Sequence, residues 1–308
     1  MRLTMEQTRC SSKERAQTAN DKMRLKQTFP FHTKTAQKYI FLPLQYAIFA
    51  LFLRLCCIFR YFCRRNIHDT EMKTDQEKAL EALRRPLWRQ FHQACQKWQL
   101  LEDGDHILIG LSGGKDSLLL TELLARQARI FVPHIRVCAV HVRVRSRNYL
   151  ADTSYLEAFC RQWEIPFYVR DTDIVGEETK SPCFLCAWYR RKALFDFAQE
   201  QHCNKIAFGH HQDDVLHTLL MNLCFEGRST SIPPRMQMDK MPLQLIRPLW
   251  LIREEEIARY ATAAGYAPQK VNCRWEDLTN RHRMRQLLEQ MEDINPTARQ
   301  SLLHSLGY

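Results

Sequence analysis

The 308-residue chain lacks an uninterrupted apolar run of the length a membrane-spanning helix needs. Its most hydrophobic stretch, "YIFLPLQYAIFALFLRLCCIFRYFC" at 39–63, stays apolar for about 15 residues up to Leu53, and a spanning helix needs about 20. Pro43, Gln45, Arg54 and Arg60 interrupt or bound it. No small-residue cleavage site follows, and Arg64 and Arg65 come next, which argues against a secretory leader. An internal repeat and a low-complexity linker are also missing, so a repeat array is excluded. What is present is a 45% hydrophobic content, enough to fill a sizeable core. Twelve cysteines could suggest a disulfide scaffold, but such scaffolds are shorter and richer in turns. Here the cysteines fall in helical or strand patterns, so a reducing cytoplasm is expected, with most thiols as small buried hydrophobes.

Charge is unevenly placed. Residues 1–71 hold 13 Lys/Arg against 5 Asp/Glu, which is +8 of the total +11. The remainder is nearly balanced, so the overall basic character is a weak argument for nucleic-acid binding by the body. Residues 1–38 are polar, basic and without apolar periodicity. The favoured reading of 1–71 is a dispensable upstream extension, with Met72 as the working start. A membrane anchor, which would bring membrane contact, and a helix packed on the body are the alternatives.

From Asp75 the texture changes. Leu80, Leu83, Leu87, Phe91, Cys95 and Trp98 recur at helical spacing, which predicts a helix within 72–104. Asp75 is its expected N-cap, and Pro86 is expected to kink or divide it. Strands are then expected at 106–111, 135–142, 166–170 and 204–209, alternating with helices at 117–128, 152–163, 187–202 and 213–224. This alternation predicts an α/β fold, a doubly wound and mostly parallel sheet over 105–250. Residues 251–308 read as a helical C-terminal segment.

Ligands of such sheets bind beyond the carboxyl ends of the strands. "SGGKDS", residues 112–117, lies there after the first strand. Gly113 and Gly114 let backbone N–H groups approach an anion, and the following helix start adds partial positive charge. Lys115 can neutralise phosphate oxygens, and Ser112 and Ser117 can donate to them. Asp116 is out of place in a pure anion site and suggests a metal held beside the phosphates. The spacing of a Walker A loop is absent, as is the dinucleotide fingerprint. The bland alternative is a glycine-rich turn closing a strand–helix unit.

"SGGKDS" resembles the phosphate loop of the N-type ATP pyrophosphatases, whose members cleave ATP between the α and β phosphates. Three further stretches narrow the resemblance. "SPCFLCAWYRRKALFDFAQE" at 181–200 puts Cys183 and Cys186 just before an expected helix, "GHHQDDVLHTLLMNL" at 209–223 gathers His210, His211, Asp213 and Asp214, and "IPPRM" follows at 232–236. With "RPLWLIREEEIARYA" at 247–261, this order looks like the tRNA 2-thiocytidine synthetase family over residues 75–308. The resemblance implies ATP and Mg2+, the latter held by Asp116 with Asp214. It implies nucleotide contacts from 112–117, His210 and Asp213, with Lys115 and Asp116 catalytic. It also implies a [4Fe–4S] cluster on Cys183, Cys186 and a later cysteine, which maps to Cys273. Three thiolates leave one iron without a protein ligand, free to carry sulfur. Cys10, Cys56, Cys57, Cys63, Cys95, Cys138, Cys160, Cys203 and Cys224 match no such position, and those in the body read as buried packing.

Other readings stay open on the residues alone. Cys183 and Cys186 could be a redox pair or a zinc knuckle, although no second C-x-x-C or His pair completes a zinc site. His210 and His211 could be satisfied core histidines. His217 stands where family members usually carry an acid. The implied reaction adenylates the C2 carbonyl of a cytidine at position 32 of certain tRNAs and replaces its oxygen with sulfur. The implied partners are the tRNA anticodon loop, a cysteine desulfurase and a second copy of the chain in a homodimer. Expected RNA contacts are Arg190, Arg191 and Lys192, the "RVRSR" run at 143–147, and Arg281, Arg283 and Arg285. A uridine thiolase, a lysidine-synthetase-like enzyme and a non-catalytic nucleotide-binding module are the competing functions.

Overall fold

The computed structural model describes residues 74–130, 132–145, 151–174, 182–239, 241–267 and 280–307. Residues 1–71 and Cys273 therefore lie outside the described residues. Thr74–Tyr308 forms one compact unit.

Helix α1 (Asp75–Lys97) opens it. Its N-cap is Thr74, not Asp75: Thr74 Oγ1 accepts from Glu77 N–H at 3.2 Å, and Glu77 accepts from Thr74 N–H at 2.8 Å. A glutamate three residues after a threonine closes this reciprocal box, which leaves Asp75 at the first helical position. Pro86 does not divide the helix, which runs unbroken to Lys97. The apolar stripe of Leu87, Phe91, Ala94 and Cys95 is buried against the body and outweighs the one lost backbone bond.

The expected alternation follows: β1 (His106–Gly110), α2 (Lys115–Ala128), β2 (Arg136–Val144), α3 (Thr153–Gln162), β3 (Phe167–Thr172), α4 (Pro182–Glu200), β4 (Lys205–Ala207) and α5 (Gln212–Glu226). Two short strands were not foreseen, β5 (Arg235–Gln237) and β6 (Gln244–Ile246). Three residues each is too short for a period to register. Then come α6 (Glu254–Ala263), α7 (Asn280–Ile294) and α8 (Ala298–Ser305). The sheet order is β3-β2-β1-β4-β6-β5, with every pair parallel except β5–β6.

The sheet separates two apolar layers. Ile107 and Ile109 of β1 face a layer with Leu118, Leu120, Leu123 and Leu124 of α2 and Phe91 of α1. Leu108, one residue out of phase, faces Leu194, Phe197 and Ala198 of α4. Helices thus cover both faces, as a doubly wound sheet requires. A smaller apolar contact joins Leu216 and Leu220 of α5 to Met284 and Leu288 of α7. Cys95, Cys138, Cys160 and Cys203 are buried as expected, but Cys224 is exposed near the end of α5, on its solvent side. Among the described residues no helix is long and apolar enough to cross a membrane.

Candidate active site

Because β1, β2, β3, β4 and β6 run parallel, their carboxyl ends share one edge. Residues 112–117 follow β1 there, 208–214 follow β4, and the start of α4 follows β3. Gly113 adopts φ = 92°, a left-handed conformation that favours glycine. Gly114 caps α2 without a side-chain bond, which leaves the helix start open towards solvent. The serines brace the loop from within. Ser117 Oγ accepts from Gly113 N–H at 3.1 Å and donates to Gly114 O at 2.9 Å, and Ser112 Oγ accepts from Gly114 N–H at 3.3 Å.

Gly209 was not singled out from sequence. A Cβ there would stand 3.1 Å from the Asp116 carbonyl carbon and 3.2 Å from Ser117 N, both backbone atoms. Its lack of a side chain is what lets the segment after β4 close onto the phosphate loop.

Lys115 and Asp116 sit in an ionic network. Lys115 Nζ is 2.9 Å from Glu254 Oε1 and 3.4 Å from Asp116 Oδ1. Burial pulls the Lys115 ammonium down, but the two carboxylates outweigh it and hold it above the usual lysine value. Burial pushes Asp116 above the usual carboxylate range, with His211 and Lys115 only partly offsetting it and Asp214 adding to it. Asp116 Oδ1 has no hydrogen-bond partner. His211, the residue before α5, is 3.8 Å from Asp116, 3.7 Å from Asp213 and 3.5 Å from Asp214. His211, rather than His210, thus joins the acids. His210 Nδ1 is buried without a partner, and burial lowers this imidazole to about 4, so it is neutral near pH 7. His217 is buried one turn into α5, also lowered by burial, with Nε2 unpartnered.

Asp213 has an architectural contact. It accepts from the Glu254 N–H at 2.7 Å, at the start of α6, and from Arg299 of α8 at 2.7 Å. Burial would raise it, but these donors overcome that and hold it low. Helix α6 is further fastened by Tyr260, which donates to the buried Glu122 of α2 at 2.7 Å. These two attachments set Glu254 against Lys115. Glu254, Arg285 and Arg299 were not assigned to the site from sequence. Glu254 did lie within the "RPLWLIREEEIARYA" stretch, whereas only folding reveals its partner. Arg281 and Arg285, expected at RNA, also meet site carboxylates: Arg281 is 3.6 Å from Asp214, and Arg285 pairs with Glu254.

The C-x-x-C pair does not precede its helix. Helix α4 begins at Pro182, five residues earlier than expected, so Cys183 and Cys186 lie in its first turns. Proline is well suited to a first helical position, which explains the early start. Cys186 is half-buried and free. Further along α4, Phe184 and Trp188 are 52% and 48% exposed, and Arg191 and Lys192 are exposed beside them. The spacing 184, 188, 191, 192 puts the four on one helix face, with Lys192 Nζ 5.8 Å from the Trp188 ring centre. Arg190 is half-buried. Arg143 and Arg145 both pair with Asp171, at 2.7 and 2.9 Å.

Comparison with known proteins fits this geometry. A family profile described as a PP-loop domain matches residues 83–291. The tRNA-cytidine(32) 2-sulfurtransferase of Sorangium cellulosum is 35% identical over 232 residues, covering 73% of this chain and 81% of the relative. That of Geotalea daltonii is 32% identical over 238 residues, covering 74% and 92%. Among solved structures, the U34-tRNA thiolase NcsA from Methanococcus maripaludis, with its [4Fe-4S] cluster, superposes with a TM-score of 0.62 at 25% identity over 74% of this chain and 78% of that one. With its phosphate loop at the end of β1 and relatives of this kind along most of its length, the chain belongs to the PP-loop family, in the tRNA-cytidine(32) 2-sulfurtransferase branch.

Proposed function

We propose that the chain is an ATP-dependent tRNA sulfurtransferase that replaces the C2 oxygen of a cytidine with sulfur, releasing AMP and pyrophosphate. The observation that carries this reading is topological. One edge of the sheet holds the phosphate loop, the His211–Asp116–Asp214 cluster and the C-x-x-C start of α4. A reaction that spends ATP and moves sulfur needs those parts side by side.

The phosphates of ATP dock at the open start of α2, on the loop whose Gly113 and Gly114 N–H groups Ser117 and Ser112 hold in its absence. Incoming phosphate competes with Glu254 for Lys115, whose ammonium then offsets charge as pyrophosphate leaves. Asp116, whose Oδ1 accepts no hydrogen bond, and Asp214 are the groups that would hold Mg2+. Neutral His210 lines the same edge next to His211; Asp213 holds Glu254 and α6 in place. The cytidine oxygen attacks the α phosphorus, the bond between the α phosphorus and the bridging oxygen breaks, pyrophosphate leaves, and the adenylated C2 oxygen becomes a good leaving group. Sulfur then bonds to C2 and AMP departs with the original oxygen. Cys183, Cys186 and Cys273 would hold a [4Fe–4S] cluster, which supplies a site from which sulfur is delivered. The paired cysteines in the first turns of a helix, with Cys186 a free thiol, suit such ligation. Phe184 and Trp188 offer exposed aromatic faces for splayed anticodon-loop bases, with Arg191 and Lys192 for the phosphates and Arg190 alongside. A cysteine desulfurase recharges the sulfur in this reading, and the enzyme acts in the cytoplasm as a homodimer.

Purified chain should release pyrophosphate from ATP only when tRNA is present. Nucleoside mass spectrometry of tRNA from a deletion strain should show loss of 2-thiocytidine. Loss of a thiouridine with thiocytidine unchanged would transfer the assignment to uridine, the base acted on by the superposed thiolase. Absence of tRNA-dependent turnover would reduce the chain to a nucleotide-binding module.

A further inference from the structure

At the amino edge of the sheet, opposite the phosphate loop, His106, Cys138 and Cys203 converge from three elements. His106 opens β1, Cys138 lies in β2 beside Leu108, and Cys203 closes the turn between α4 and β4. One ring nitrogen and the two sulfurs lie within 4.8 Å of one another, the only such trio of His, Cys, Asp or Glu among the described residues. The sulfurs are 3.8 Å apart, buried and not joined in a disulfide. Two thiolates on one tetrahedral cation, each about 2.3 Å from it, stand about 3.8 Å apart.

The chain spends conformational energy to place this trio. His202 has φ = 52°, a left-handed conformation that is strained for a non-glycine residue. The strained turn is held by Cys203 N–H donating to Ala198 O at 2.8 Å. Asn204 then locks it to β1: its N–H donates to His106 O at 3.0 Å, its side-chain oxygen accepts from His106 N–H at 2.8 Å, and its amide donates to Asp105 at 2.7 Å. Arg136 lies directly across from His106 in β2. Simple core packing would explain two neighbouring thiols. It does not explain an imidazole held against them, or the adjoining cavity of about 420 Å³, lined by His106, Arg136, Cys138, Trp163, Tyr168 and Gln201, that gives solvent a way in.

The geometry points to a binding site for a thiophilic divalent cation of the zinc class at His106, Cys138 and Cys203, with its fourth position open to that cavity. The site is independent of the proposed sulfur-transfer cysteines. Helix α4, about 28 Å long at 1.5 Å per residue, separates Cys183 and Cys186 at its start from Cys203 beyond its end. On binding, up to two thiol protons leave to solvent and no electron moves. The cation would pin β1, β2 and the α4–β4 turn together.

The test uses the full-length chain carrying Cys183→Ser, Cys186→Ser and Cys273→Ser, kept reduced, and titrated with Zn2+ and separately with Co2+. One equivalent should bind, with the thiolate-to-cobalt charge-transfer absorption of a tetrahedral site and a rise in melting temperature. His106→Asn, at a partly exposed position, and Cys203→Ser should each weaken Zn2+ binding by more than about 100-fold. Should Cys203→Ser fail to fold, the His106→Asn arm decides alone. Equal Zn2+ affinity in the presence and absence of His106→Asn would overturn the site, as would no stoichiometric binding at all. A Cys138–Cys203 disulfide forming in air, with Zn2+ ignored by the reduced protein, would instead make the pair a redox couple and also overturn it. Thiolation is not a readout, so the proposed reaction can fail without affecting this result.

Discussion

Lys115 and Lys205 each hold two carboxylates, one at the carboxyl edge of the sheet and one at the amino edge. Lys205 is 3% exposed, bonded to Leu100 O, Glu102 and the fully buried Asp105. Lys115 is 25% exposed, and its partners Asp116 and Glu254 are similarly half-open and already shared with His211 and Arg285. A buried pair whose donors are all engaged is costly to open and has no reason to open. A half-solvated network in which each charge has two suitors can trade partners when phosphate arrives at small cost. The same residue type is therefore a rivet at one edge and a ligand-exchange site at the other.

The largest expected effect would come from Asp116→Ala. Tm should barely move, but tRNA-dependent pyrophosphate release should fall by at least about 100-fold. Normal turnover in that variant would remove the contrast between the two edges. Cys273→Ser should end thiolation and bleach the brown colour of anaerobically prepared protein while leaving ATP binding intact, as followed by nucleotide titration. Lys205→Met tests the other lysine. It strands Asp105 in the core, so stability should drop by about 3–5 kcal/mol, a Tm loss of roughly 10 °C for a unit of this size. ATP turnover per folded molecule should be unchanged, since no site residue touches Lys205. Trp188→Ala should cost about 1–3 kcal/mol of tRNA affinity with no change in ATP affinity, measurable by filter binding. The gentlest effect concerns pH. His210 is held near 4 when folded against about 6.5 unfolded, so the unfolded chain binds the extra proton between those values. Stability is then lost as pH falls from about 6.5 towards 4, and His210→Gln should flatten that part of the denaturation profile. An unchanged profile would place the buried imidazole in solvent.

The sheet, its parallel direction and its main helices were legible because their signals are local and repeated. "HILIG" and "RVCAVHVRV" are apolar enough to be central strands, and the leucines of α2 are buried nearly all round because α2 lies against the sheet with α6 packed on it. The phosphate loop was legible for the same reason: two glycines, a lysine and an acid need only their neighbours to make an anion cradle. The C-x-x-C spacing marked Cys183 and Cys186 as a metal or redox pair, and family resemblance pointed to a cluster there. Local rules also misled where two neighbours compete. Thr74 took the cap from Asp75 because its glutamate sits at the right distance, and Pro182 began α4 early.

What only the tertiary structure decided are the pairings across long sequence gaps. Glu254 reaches Lys115 because Tyr260 is bonded to Glu122 and Asp213 caps α6 from another helix. Arg281 and Arg285, which in sequence read as a cationic helix face, are drawn in by Asp214 and Glu254. Gly209 matters only because Asp116 backbone lies 3.1 Å from where its Cβ would be. His106, Cys138 and Cys203 carry no motif spacing at all, and parallel pairing of β1 with β2 and β4 is what brings them together. Sequence determines chemistry that neighbours along the chain can assemble; chemistry assembled across strands depends on register and helix docking, which are settled by the burial of the whole core.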